Sequence, residues 1–190
     1  MKAHREQVFQ YLRNQIAWAF DCSQQVNHLH DVSDRGVASF GSKCLLAPWA
    51  FSQKPIVLGV NRLTSFDKTL LFFATSLPVS KQEITAFTVS LWFDFYHKYH
   101  VGRRLNSKSI PKAQRLLEYA LIDYKNCLDG KPVTKDKVIM DSISVSDAKN
   151  FRRDWVPRLA IMKALIAQKE RDALSQVLAF IDDRAEQLHA

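Results

Sequence analysis

The chain has 190 residues, 47% hydrophobic and 24% charged, which excludes a disordered protein and allows one large domain or two small ones. Lys and Arg outnumber Asp and Glu by 27 to 19, a formal net charge of +8 that favours polyanionic partners: DNA, RNA or an anionic membrane surface. The polar start MKAHREQVFQYLRNQ has no core of signal-peptide length, and no apolar run approaches the ~18 residues of a membrane helix. Cys22, Cys44 and Cys127 are odd in number and far apart, as expected of free thiols in a reducing cytoplasm.

Only five glycines and six prolines interrupt the chain, so long regular elements are expected. Residues 3 to about 22 read as a helix, with Val8, Leu12, Ile16 and Ala19 on one face. The segment 36–62 is irregular, and "PIVLGV" within it has the β-branched composition of a short strand. A helix over 66–77 follows, with Ser65 as its cap and Pro78 as its end. Ser80 and Glu83 make a capping box for the next helix, about 81–100, which is apolar nearly all round and so reads as the buried centre of a bundle.

After the loop "VGRRLNSKS" comes "IPKAQRLLEYALIDYKNCL", with the stripe Ala113, Leu116, Leu117, Ala120, Leu121, Tyr124 and Leu128, stopped by Gly130. Thr134 caps a short helix, "KDKVIMDS", and Ser146 caps a second after a tight turn. Pro157 should kink or stop that helix. An amphipathic stretch from Leu159 to Leu188 completes the chain. The expected fold is mainly α: a helical bundle over 1–130 with the irregular 36–62 segment, then 131–190 as a two-helix element and a long final helix.

The stretch "VSDAKNFRRDWVPRL", residues 145–159, carries the functional reading. At 100° per residue from Lys149, Ala148, Phe151 and Trp155 fall at about 260°, 200° and 240° and form one apolar face. Lys149, Arg153, Ser146 and Asn150 fall at about 0°, 40°, 60° and 100°, on the opposite face. Arginine can donate twice to guanine O6 and N7, and asparagine can pair with adenine, so Lys149, Asn150 and Arg153 suit base edges. Arg152 lies at the side, within reach of phosphate. Asp154 opposes such a role unless it pairs with a neighbour such as Arg158.

Short helix, turn and capped second helix is the layout of helix-turn-helix proteins, and "MDSISVS" resembles their A-x-x-L-G-V-S turn, with Met140, Ile143, Ser144, Val145 and Ser146 in the matching places. The glycine of that turn is Ser144 here, which strains the bend if its φ is positive. More loosely, the chain resembles small regulators of phages and mobile elements, including antitermination-type proteins. The resemblance implies a DNA-binding regulator of transcription whose partners are double-stranded DNA and transcription machinery.

A second basic tract lies between Asp94 and Glu118, where no acidic residue occurs. Arg103, Arg104 and Lys108 are its candidate phosphate contacts, beside Lys98, Lys112 and Arg115, with His97 and His100 and with Tyr96 and Tyr99 interleaved. Asp94, His97 and His100 drift around a helix by about 60° per step, and His28 and His30 near Cys22 lack a zinc signature, so no metal or cofactor is expected. Arg184 and His189 form R-x-x-x-x-H, which resembles the active motif of HEPN-type ribonucleases and implies RNA cleavage as an alternative. A third reading is a protein–protein adaptor or inhibitor anchored by Trp49 and Phe51. No Walker loop, G-x-S-x-G or H-E-x-x-H occurs.

Overall fold

The structure, a computed structural model, describes residues 6–20, 55–98 and 105–189, with side chains at all of these but 98 and 185–189. The described residues are helical without strands: α1 (6–20), α2 (55–61), α3 (Ser65–Ala74), α4 (Lys81–Lys98), α5 (Ile110–Leu128), α6 (Asp136–Ser142), α7 (Ala148–Asn150), a π-helical turn (Phe151–Trp155) and α8 (Val156–His189). The protein is mainly α. None of the described helices is long and apolar enough to cross a membrane. Cys22, Cys44, His28, His30, Trp49, Phe51 and residues 99–104 lie outside the described residues, whereas Cys127 is an exposed free thiol.

Two compact units share the chain: residues 1–79 with 171–190, and residues 80–170. In the first, Phe9, Leu12, Ile16, Val60, Leu71, Ala173, Leu174 and Val177 form the buried core. "PIVLGV" lies wholly within helix α2 rather than a strand. Its Val60 is fully buried in this core, and tertiary packing of that kind outweighs the β preference of Val and Ile. Gly59 permits the approach: a Cβ there would stand 3.1 Å from the Phe180 ring and 3.3 Å from Val177. Helix α3 is capped by Thr64, whose hydroxyl accepts from the Asp67 amide, not by Ser65, and it ends at Ala74, ahead of Pro78.

The second unit holds α4 to α7 and α8 up to Glu170. The capping box of α4 is complete: the Ser80 amide donates to Glu83 at 2.9 Å, and the Glu83 amide donates to the Ser80 hydroxyl at 3.2 Å. Phe87, Leu91 and Phe95 are buried, but Ile84, Val89 and Phe93 are exposed, so α4 is not buried on every side as its composition suggested. Helix α5 buries Ala113, Leu116, Leu117, Ala120, Leu121 and Tyr124 as its stripe predicts, together with Asp123. From α8, Lys163 donates to Asp123 at 2.6 Å, Glu170 accepts from the Tyr124 hydroxyl at 2.5 Å, and Lys169 pairs with Asp94.

Three of these helices end alike. After α5, Gly130 (φ 68°) is left-handed, its amide donates to Cys127 O, and the Lys131 amide closes onto Asn126 O. Ser76 after α3 and Ser144 after α6 take the same place with φ of 61° and 54°, and Leu77 and Val145 make the closing bonds. This is the Schellman stop, which satisfies the last carbonyls but normally uses glycine, so the two serines carry backbone strain.

Candidate nucleic-acid interface

The candidate surface is built on the α6–turn–α7 segment, which is fixed from beneath. The buried Asp123 carboxylate accepts from the Thr134 amide at 2.7 Å and from Lys163, and so ties the approach to α6 onto both α5 and α8. Burial alone would raise the Asp123 pKa. The hydrogen bonds from Lys163 and Thr134, with the charge of Lys163, outweigh it and hold the carboxyl below its ordinary range. The N-cap position of α6 is Lys135, which makes no side-chain cap, so Thr134 serves through its amide and not as the cap. Ile139 and Ile143 are buried and pin α6 to the core.

Two cations of α5 hold the turn. Lys112 Nζ donates to the carbonyl of Ser144, the strained residue, at 2.9 Å, and Arg115 Nε donates to the Ser142 hydroxyl at 3.2 Å. The C-terminal end of the second basic tract therefore stands beside the turn. These contacts span 32 and 27 residues, and no local pattern announces them.

The next helix is capped by Asp147, one residue after the serine expected in that role. The Asp147 carboxylate accepts from the Lys149 amide at 2.9 Å, and the exposed Ser146 stays outside the helix. Ser and Asp are equally good caps, so the adjacent pair Ser146–Asp147 was ambiguous in sequence. Ala148 is exposed, which removes it from the anticipated apolar face. Phe151 and Trp155 are buried as expected.

Pro157 neither stops the helix nor starts it afresh. Phe151–Trp155, which end two residues before it, form a π turn in which the Val156 amide reaches back to Phe151 O, so the chain meets proline with its carbonyls already displaced from α-helical positions. Arg158 lies 5.1 Å over the Trp155 ring and donates to the Asp154 carbonyl at 2.6 Å, which satisfies an acceptor in that widened turn.

Ser146, Lys149, Asn150, Arg152 and Arg153 are all exposed. Arg153 pairs with Asp154 through Nε at 3.0 Å and Nη2 at 2.8 Å. The hydrogen bond and charge of Asp154, with a smaller contribution from Asp147, raise the Arg153 pKa. Lys108 is exposed four residues ahead of Lys112, whereas Arg103 and Arg104 lie outside the described residues.

The other candidates fare differently. Arg184 is exposed with its guanidinium 5.7 Å over the Phe180 ring, and Arg62 lies 4.6 Å over the same ring; with Asp183 they line an open hollow of about 200 Å³. The His189 side chain is outside the described part, so the R-x-x-x-x-H pair has no geometry to weigh. Among the described residues no group of three His, Cys, Asp or Glu is disposed to hold a metal.

A family model described as phage antitermination protein Q matches residues 32–189, most of the chain. Neither the curated proteins nor the solved structures give a match.

Proposed function

Because the chain belongs to the phage antitermination protein Q family, we propose that it regulates phage transcription by seating the helix that begins at Ala148 in the major groove of duplex DNA. One observation carries this reading: Ser146, Lys149, Asn150, Arg152 and Arg153 are exposed together at the start of a helix whose Phe151 and Trp155 are buried. Rigid apolar anchoring with guanidinium, ammonium and amide groups outward is what base reading requires. Lys149, Asn150 and Arg153 face the bases, and Arg152, Lys108, Arg103 and Arg104 meet phosphates. The Lys112 contact with Ser144 supports the same assignment, since it sets one end of the second basic tract against the turn. Transcription machinery is the protein partner in this reading, and DNA binding delivers the protein to it.

The test is a salt-series titration with random-sequence duplex DNA, single-stranded DNA and RNA, followed by a duplex selected for tight binding. Duplex should bind best, with affinity falling as salt rises. Arg153→Ala should weaken the selected duplex by about 1–3 kcal/mol. Arg152→Ala and Lys108→Ala should each flatten the salt slope by up to ~0.9, because each removes a cation that neutralises a phosphate. Unchanged affinity of Arg153→Ala at controlled salt, or a preference for RNA, would contradict the assignment.

A further inference from the structure

Asp154 looks like a liability on a surface that meets phosphates, since it sets a carboxylate next to the reading arginine. Its geometry points the other way. Adjacent residues on a regular α-helix diverge by about 100° and do not face each other. Arg153 and Asp154 sit inside the π turn, where each turn holds more residues and successive side chains diverge less. The Asp154 carboxylate grips Arg153 in a two-pronged pair, through Nε and one hydrogen of Nη2. The arginine side chain is still 62% exposed, while that of Asp154 is 28% exposed.

A guanidinium has five N–H groups in a planar fork. Asp154 occupies the lateral edge. The distal edge, Nη1 with the second Nη2 hydrogen, meets no acceptor among the described residues. Two parallel donors on that edge match O6 and N7 of guanine. An arginine already held along its side has less conformational freedom to lose on binding, and its plane is fixed relative to the helix. Beneath it, Arg158 holds the Asp154 carbonyl and so steadies the backbone of the same turn.

We infer that Asp154 is a specificity-determining positioning residue: it orients Arg153 so that the distal guanidinium edge reads one guanine. The inference rests on the reading of residues 146–153 as a DNA-contacting surface. An exposed neighbouring ion pair adds little to stability, so the role is visible in base preference and not in folding.

The experiment is selection of binding sites from a randomised duplex pool by the full chain, Arg153→Ala, Asp154→Ala and the near-isosteric Asp154→Asn, each first checked for an unchanged melting temperature. The wild type should select a guanine at one position, and Arg153→Ala should lose it. Both Asp154 variants should prefer guanine over adenine there at least about fivefold less strongly. Their affinity for random-sequence duplex should instead rise, because an anion has left a surface facing phosphates. A purely structural role would lower affinity for all duplexes alike and leave the preference intact, and that result overturns the inference. So does a guanine preference that needs Arg153 and is indifferent to Asp154. A wild-type protein that binds no duplex overturns the DNA reading itself, and that outcome is distinct from the other two.

Discussion

Phe151→Ala should lower the unfolding free energy by about 3–5 kcal/mol, the usual cost of truncating a fully buried phenylalanine. Phe151 is 0% exposed and opens the π turn, where its carbonyl receives the Val156 amide. Its ring is therefore the anchor nearest to Asn150 and Arg152, both of which are exposed. Urea denaturation gives the magnitude. Phe151→Leu fills most of the same volume and should cost much less. A loss below about 1 kcal/mol for alanine would mean that Phe151 does not hold this segment to the core.

The second large effect concerns Asp123. Its carboxylate is buried and bonded to Lys163 and to the Thr134 amide. Lys163→Met should cost about 3 kcal/mol near neutral pH, because it leaves a buried charge without its cation. This is the lower end of the usual range, since the Lys163 side chain is 30% exposed. The sign of the pH dependence follows from the shift. In the native protein the Asp123 carboxyl is held below its ordinary value, so its contribution is fully present above the unfolded pKa of about 3.9. That contribution is lost as pH falls through the lower folded pKa.

In Lys163→Met the hydrogen bond and charge of the lysine are gone while burial and the Thr134 bonds remain, so the folded pKa of Asp123 rises from its native value. The deficit should then shrink as the pH falls through that raised pKa and the carboxyl protonates. Asp123→Asn combined with Lys163→Met should recover much of the loss, because no charge remains to bury. Denaturant melts from about pH 4 to about pH 7 decide the matter. A deficit of constant size across that range that the added Asp123→Asn also fails to relieve would show that Asp123 is not the group responsible.

The parts of this fold that were legible in the sequence are those set by local chemistry. The Ser80–Glu83 capping box, the Gly130 stop and the α5 stripe each depend on residues within a few positions of one another, and each stands in the structure. What misled was chemistry decided elsewhere. "PIVLGV" suggested a strand because its side chains are β-branched, but Val60 and Gly59 pack into a helical core that includes the distant Ala173 to Val177 segment. Helix α4 suggested a buried centre, yet Val89 and Phe93 face solvent. Composition alone cannot say which neighbours are there to cover them.

The candidate surface divides the same way. That Lys149, Asn150 and Arg153 are exposed while Phe151 and Trp155 are buried followed from helical periodicity. The π turn did not, and with it went the chance to foresee that Pro157 would be absorbed and that Asp154 would meet Arg153, its immediate neighbour. The strain at Ser144 was legible as a missing glycine. The lysine that bonds its carbonyl lies 32 residues away and was not.

The most direct test of DNA contact places a photo-reactive amino acid at Asn150, the exposed amide just ahead of the π turn. Irradiated with labelled duplex DNA, the protein should form a covalent adduct that excess unlabelled duplex suppresses and single-stranded RNA does not. A protein that binds duplex yet gives no adduct from this position would show that another surface meets the DNA.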